Sequence, residues 1–233
     1  MTSQTNNQIY FPDADVALNE DGTRFASYRR DDTQVTIIHI PPHGSLAAPA
    51  GTESRVGMVV QGRLSVTVGG VTRSMEAERD VYVAPPGVDV SIANNSSEEV
   101  VALEIKRAHE GDSTPTPSEY FLGPYESRKF VGMDVTFFVN NWIELMLADI
   151  PSGGEMPYHK HSHEQVGICL DGRYEMTVEK TSSELTFGGT YFCVSQEGHG
   201  AVNPNSGVAR SLNIFIPPRY HRVSKLKNEK EAQ

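Results

Sequence analysis

Three histidines and one glutamine are spaced to do chemistry in this sequence. From Gly153 the chain reads GGEMPYHKHSHEQVGICLDG and fits the pattern G-x5-H-x-H-x3-[EQ]-x6-G through Gly153, His159, His161, Gln165 and Gly172. His199 follows, with Asn203 four residues beyond it. On an extended strand alternate side chains share a face, so His159 and His161 are expected to project together. Gln165 then returns across a tight turn and His199 arrives from a later strand. Three imidazoles and an amide oxygen suit a divalent first-row ion such as Fe, Co, Ni, Mn or Zn, and an octahedral ion so held keeps up to two positions for substrate or water. His163 shares the strand parity of His159 and His161 and competes with Gln165 for the fourth place. An isolated H-x-H is more often structural than ligating; here the flanking glycines, the amide and the downstream His-x3-Asn complete a pattern.

The elements that position these residues read as strands almost throughout. Short runs at 34–40, 63–68, 81–84, 100–105, 134–139, 142–148, 174–178 and 211–216 are rich in β-branched and aromatic residues and are punctuated by Gly, Pro, Asn and Asp. No long stretch keeps a 3.6-residue apolar period, so the chain is expected to be all-β, a sandwich or barrel. Residues 1–32 read as an N-terminal arm, 109–132 as a linker with one short helix near Pro117 and Glu119, and 223–233 as a polar tail.

An internal repeat organises the rest. Gly57 and Gly167 stand 110 apart, as do Gly62 and Gly172, and Gly62-Arg63-x3-Thr67-Val68 answers Gly172-Arg173-x3-Thr177-Val178. Further on the offset is 109: Asn94 answers Asn203, Leu103 answers Leu212 and Ile105 answers Ile214. Two copies at so long a period mean a duplicated domain, expected over 33–108 and 133–222. The first copy has Pro49, Gly51, Arg55 and Val90 where the second has His159, His161, Gln165 and His199. Its framework survives in Gly62, Pro85, Gly87 and Asn94. The expectation is therefore a first barrel that folds without metal, and one divalent ion per chain. That barrel is either a structural half or, through Arg55 and nearby His43, an anion site. Arg173 could meet a carboxylate, but Arg63 in the same place of the first copy favours a shared structural role.

Composition narrows the class. Thirty acidic against 20 basic residues give a net charge of −10, which disfavours nucleic acid. No apolar run approaches the length of a membrane span, and the first ten residues lack the basic start and apolar core of a signal peptide. Cys169 and Cys193, the two cysteines, sit in apolar runs and read as buried thiols rather than a disulfide framework. A cytoplasmic protein fits these features, and exposed sheet edges are compatible with a homodimer.

The ligand pattern is that of the cupins, and its duplication resembles a bicupin: two tandem jelly-roll-like β-barrels. More narrowly, the chain resembles the bicupin dihydro-4-hydroxyphenylpyruvate isomerases of bacilysin and aeruginosin biosynthesis. The resemblance runs through IPPH (40–43), VGMVV (56–60), TVGGVTR (67–73), APP (84–86), EIKR (104–107), MDVTFFV (133–139), GGEMPYHKH (153–161), YFC (191–193) and PPRY (217–220). It implies an isomerase that moves a ring double bond of a small 2-oxo acid into conjugation with the side chain, in the making of a non-ribosomal peptide or antibiotic. It implies metal ligands at His159, His161, Gln165 and His199, with Fe(II) or Co(II) as the first expectation. It also implies a substrate-binding or proton-transferring role for Tyr220 of PPRY. Trp142 is a candidate wall for the ring, against an ordinary core role. The bacilysin enzyme's first barrel carries a ligand set of its own, so the degraded first copy marks this chain as a sister enzyme. The same ligands would also serve an Fe-dependent dioxygenase acting on a 2-oxo acid or diketone, or a non-catalytic binder of a small acid.

Overall fold

A computed structural model describes residues 6–108 and 115–219. The described residues fall into two units, one spanning Asp13–Pro124, the other combining the chain up to Pro12 with that from Tyr125 onward.

The first unit contains β1 (Asp15–Leu18), β2 (Arg24–Arg30), β3 (Thr33–Ile40), β4 (Ser45–Ala48), β5 (Glu53–Gln61), β6 (Arg63–Val68), β7 (Val71–Glu76), β8 (Val81–Ala84), β9 (Val90–Ala93), β10 (Val100–Ala108) and β11 (Phe121–Leu122). They form a seven-stranded sheet, β1-β2-β3-β10-β5-β8-β11, and a four-stranded sheet, β4-β9-β6-β7, antiparallel wherever strands pair. Ile38, Ile40 and Val59 of the large sheet share one core with Leu64, Val66 and Val68 of the small one, so the two inner faces pack on each other as in a jelly roll.

The second unit repeats this plan. A short helix, α1 (Asn6–Tyr10), precedes β12 (Glu126–Phe130), β13 (Met133–Val139), β14 (Glu144–Ile150), β15 (Glu155–His159), β16 (Glu164–Asp171), β17 (Arg173–Val178), β18 (Thr181–Thr186), β19 (Thr190–Cys193), β20 (His199–Val202) and β21 (Ala209–Ile216). The sheets are β12-β13-β14-β21-β16-β19 and β15-β20-β17-β18. The sheets do not close into continuous barrels, so "jelly-roll-like" describes both halves better than "barrel". Cys169 and Cys193 are free and buried here, and burial pushes the Cys169 thiol up to about 11.

The repeated glycines have a packing role. A Cβ on Gly57 would stand 2.1 Å from the Tyr82 ring, and one on Gly167 would stand 2.0 Å from the Tyr191 ring. Each glycine is a notch into which a tyrosine from the neighbouring strand lays its ring. The paired asparagines are structural as well. Asn94 Nδ2 donates to the carbonyls of Ile40, Pro41 and Glu98, and Asn203 Nδ2 to those of Ile150 and Gly207. Arg63 and Arg173 are ion-paired across their hairpins to Glu76 and Glu184.

The structure redraws the segments outside the two copies. The stretch read as an arm is not one: β1 and β2 extend the large sheet of the first unit, and Phe11 joins the core of the second. Within the stretch read as a linker, a single 3-10 turn at Pro117–Glu119 is followed by β11, which pairs with β8, and β12, which pairs with β13. Residues 109–114 and the polar tail lie outside the described residues. The strand expected from position 142 begins at Glu144, because Asn140 Oδ1 accepts from the backbone N–H groups of Trp142 and Ile143 and turns the chain.

Candidate metal centre

The predicted residues converge in the second unit. His159 ends β15 and pairs in register with His199, which opens β20. Gln165 is the second residue of β16. His161 departs from the expected strand geometry, since it lies beyond the end of β15 in the connection to β16. A bulge between Met156 and His159 accompanies this turn. The ligand atoms of His159, His161 and His199 lie within 4.8 Å of one another. Gln165 Oε1 sits 2.9 Å from His161 Nε2 and 3.1 Å from His199 Nε2. His163 takes no place in this cluster; its backbone carbonyl instead faces His161 Nδ1 at 3.0 Å.

The surroundings of these groups set their tautomers. His159 Nδ1 lies 2.8 Å from the Pro157 carbonyl, and His199 Nδ1 lies 3.0 Å from that of Glu197. In all three rings Nδ1–H therefore donates to a backbone carbonyl, and Nε2 presents a lone pair to the centre. The amide is fixed too. Gln165 Nε2 donates to the Tyr191 hydroxyl at 2.5 Å and to Asn213 Oδ1 at 3.1 Å, and Tyr191 donates to the same Oδ1 at 2.9 Å. Reversing the amide would set two oxygens against each other at Asn213. The result is four lone pairs aimed at one point with no proton to share between the imidazoles and Oε1. A cation satisfies that arrangement, and the set of three neutral nitrogens and one oxygen fits a divalent first-row ion.

Electrostatics keeps the rings neutral. Burial pushes the His199 imidazole down to about 4 and lowers that of His161 as well, with neighbouring imidazole charge adding to each. Neutral imidazole is the form a metal needs. The metal-free protein should show the linked effect on stability. The unfolded His199 side chain takes up its proton near 6.5 and the folded one only near 4, so the unfolded chain binds more protons between those values. Stability is then fully present above about pH 6.5 and is lost as the pH falls toward 4, by about 3 kcal/mol from this one group. Urea titrations of the metal-free protein across that range check this; a denaturation midpoint that does not fall would contradict it.

The centre stands at the polar end of a cavity of about 190 Å³. Its walls are mainly apolar, including Met133, Met146, Met156, Met176 and Phe215. His159 is exposed, His161 half-buried and His199 buried, so the open side lies toward His159. Arg219 supplies a cation on the wall. Its guanidinium lies 4.1 Å from the Phe215 ring centroid and pairs with Glu144, which is fully buried. Glu144 accepts from Arg219 through Nε at 2.9 Å, Nη2, and the backbone N–H at 3.2 Å. Trp142 is buried in the turn before β14 and does not line the cavity. Tyr220 lies outside the described residues.

Sequence reading missed Tyr191 and Asn213, which hold the amide, Ser211, which accepts from Asn213 Nδ2, and the Glu144–Arg219 pair. A signal for them existed. Positions 211 and 213 are polar and inward in an otherwise apolar run, SLNIFI, and Glu144 heads the apolar run ELMLADI.

The first unit shows what replaces the centre. Ala48, next to Pro49, pairs with Val90, so no imidazole meets another there. In place of the Gln165–Tyr191–Asn213 network, Tyr82 donates to Glu104 at 2.7 Å, Glu104 pairs with Lys106 at 3.2 Å, and Arg55 reaches the Pro49 carbonyl at 3.3 Å. Among the described residues, the cluster of His159, His161 and His199 is the one that could hold an ion. Elemental analysis of the purified protein should give close to one metal per chain; two would refute the assignment of the first unit as metal-free.

Comparison with known proteins places the chain in a family. The cupin domain family model matches residues 146–215. H2HPP isomerase of Bacillus subtilis is 44% identical over 230 residues, covering 98% of both chains. Among solved structures, AerE from Microcystis aeruginosa aligns with a TM-score of 0.83 at 24% identity, covering 89% of this chain and 98% of that one. A variant of Bacillus subtilis oxalate decarboxylase aligns with a TM-score of 0.75 at 15% identity, covering 91% of this chain and 77% of that one. Both likenesses to solved structures speak for the fold.

Proposed function

Because the chain belongs to the H2HPP isomerase family of cupins, we propose that it isomerises dihydro-4-hydroxyphenylpyruvate, moving a ring double bond into conjugation with the 2-oxo acid side chain. The observation that carries the reading is the full-length relationship to that isomerase, joined to a convergent donor set at the head of an apolar cavity. The biosynthetic setting is proposed to be that of a non-ribosomal peptide or antibiotic.

His159, His161, Gln165 and His199 would hold the ion, with Fe(II) or Co(II) proposed first. A divalent cation bound there supplies Lewis-acid polarisation of a 2-oxo acid and favours loss of a proton beside the carbonyl. The chain's own residues do the rest. The three Nδ1–H···O=C bonds hold the rings in one tautomer. Tyr191 and Asn213 fix Gln165 so that its oxygen, not its nitrogen, faces the centre. The methionine-rich walls take the six-membered ring and exclude water from it. Arg219, positioned by Glu144, favours an anionic ligand in the cavity. Tyr220 is given the substrate-binding or proton-transferring role that the family resemblance implies for it. Incubation with the product of prephenate decarboxylation, followed by NMR of the products, tests the reading. Appearance of the conjugated isomer is expected; recovery of unchanged substrate from the metal-loaded protein would sink it.

A further inference from the structure

The first unit has lost the ligand set but kept the cavity. It measures about 210 Å³, against about 190 Å³ in the second unit. Ile38, Leu46, Val90 and Ile92 form its apolar walls, and the exposed Asn19 and Ala47 stand where it meets solvent. Two of its lining residues carry charge, Glu104 and Lys106.

Strand register sets both charges at the level of the second unit's donor set. Lys106 pairs with Arg55 as Phe215 pairs with Gln165, and Glu104 pairs with Gly57 as Asn213 pairs with Gly167. Residues directly opposite in a sheet share a face, so Arg55, Lys106 and Glu104 all stand on the inner one. Glu104 is satisfied there: one oxygen accepts from the Tyr82 hydroxyl at 2.7 Å and the other from Lys106 Nζ at 3.2 Å. Lys106 is not. An ammonium has three N–H donors, and among the described residues Glu104 is its one ion-pair partner. The Lys106 side chain is 26% exposed, so a molecule in the cavity can reach it. Arg55 is turned to the Pro49 carbonyl and does not line the cavity. Its charge still adds a second cation against the single carboxylate, which favours an anion over a cation as occupant.

We infer that the first unit binds a small monocarboxylic acid without metal, its carboxylate on the Lys106 ammonium and its apolar body against Ile38, Val90 and Ile92. Val90 holds the place that His199 has in the second unit, so an apolar group there meets no imidazole. The near-equal volumes admit an acid of the same size class in both units. Recognition here is by charge pairing and apolar burial rather than chelation. The inference is therefore separate from the isomerisation proposed above, and failure of that reading would leave it standing.

Calorimetric titration with phenylpropionate tests it, because that acid carries a carboxylate and an apolar ring but no 2-oxo group. The variant with both His159→Ala and His161→Ala removes the second unit's site from the measurement. It should bind one phenylpropionate per chain, and phenylpropylamine, a cation of the same shape, at least about tenfold more weakly. Adding Lys106→Met should weaken the acid at least about tenfold. That change leaves Glu104 without its ion pair. Should the protein then fail to fold, Lys106→Met combined with Glu104→Gln keeps an acceptor for Tyr82 and should show the same loss. Binding that survives the removal of Lys106 overturns the inference. So does equal binding of the amine, or no binding of the acid by the double histidine variant.

Discussion

His199→Ala should lower kcat/KM by roughly a thousandfold or more and reduce the bound metal from about one per chain to nearly none. His199 is the most buried of the three imidazoles and lies against both partners, with ring centroids 4.5 Å from His159 and 4.8 Å from His161. Removing it deletes one lone pair and opens the buried side of the centre, and no neighbouring group can take its place. Cys193 Sγ is 3.6 Å from His199 Nδ1, on the side of the ring that faces away from the centre. The matched control is Arg55→Ala, at the position of the first unit that answers Gln165. It should leave activity within about twofold, since no imidazole accompanies Arg55 there. Steady-state kinetics and elemental analysis on both variants check the pair. Equal losses would mean that the first unit takes part in the chemistry.

Gly167→Ala is expected to be almost as damaging without touching a ligand. The added methyl would stand 2.0 Å from Tyr191 Cε1 and 2.7 Å from its hydroxyl. Gly167 lies on β16, paired on both sides, and Tyr191 on β19 at the end of the same sheet, so the Tyr191 ring or its strand must move. Overpacking of this kind costs about 3 kcal/mol. It also releases the Gln165 amide from the Tyr191 hydroxyl, and loss of such a supporting hydrogen bond weakens metal affinity about 10- to 100-fold. Gly57→Ala provides the comparison. Its methyl would meet Tyr82 at 2.1 Å, so the stability cost should be similar while metal affinity stays unchanged. Urea denaturation and competitive metal titration separate the two effects. If Gly167→Ala binds metal as tightly as the native protein, Tyr191 does not hold the amide in place.

These two variants also show how far the sequence alone could lead. The ligands were legible because strand alternation and one turn fix their spacing, and because the repeat supplied a degraded copy for contrast. The pair Gly57 and Gly167 was visible as part of the repeat. That each glycine is a notch for a tyrosine 24 or 25 residues later was not, since that depends on which strands become neighbours. That the Tyr191 hydroxyl holds the Gln165 amide was not legible either, since it depends on β16 and β19 becoming neighbours. Strands β7 (VTRSME) and β18 (TSSELT) escaped notice because one face of each meets solvent and carries Ser, Thr, Arg and Glu. β1 and β2 escaped for a related reason, as an edge and near-edge pair in which no residue is fully buried. His161 was read as a strand residue and lies past the strand's end, yet its ring still reaches the centre, because Gln196 N–H holds its backbone carbonyl at 2.8 Å and His163 holds its ring.

The most direct test of the central claim is an anaerobic assay of the metal-loaded protein with dihydro-4-hydroxyphenylpyruvate, followed by ultraviolet absorbance. The account predicts a growing band of the conjugated 2-oxo acid without any oxygen, and its absence in a variant carrying both His159→Ala and His161→Ala. No absorbance change under anaerobic conditions with oxygen consumed in air, or an unchanged rate in the double variant, would contradict it.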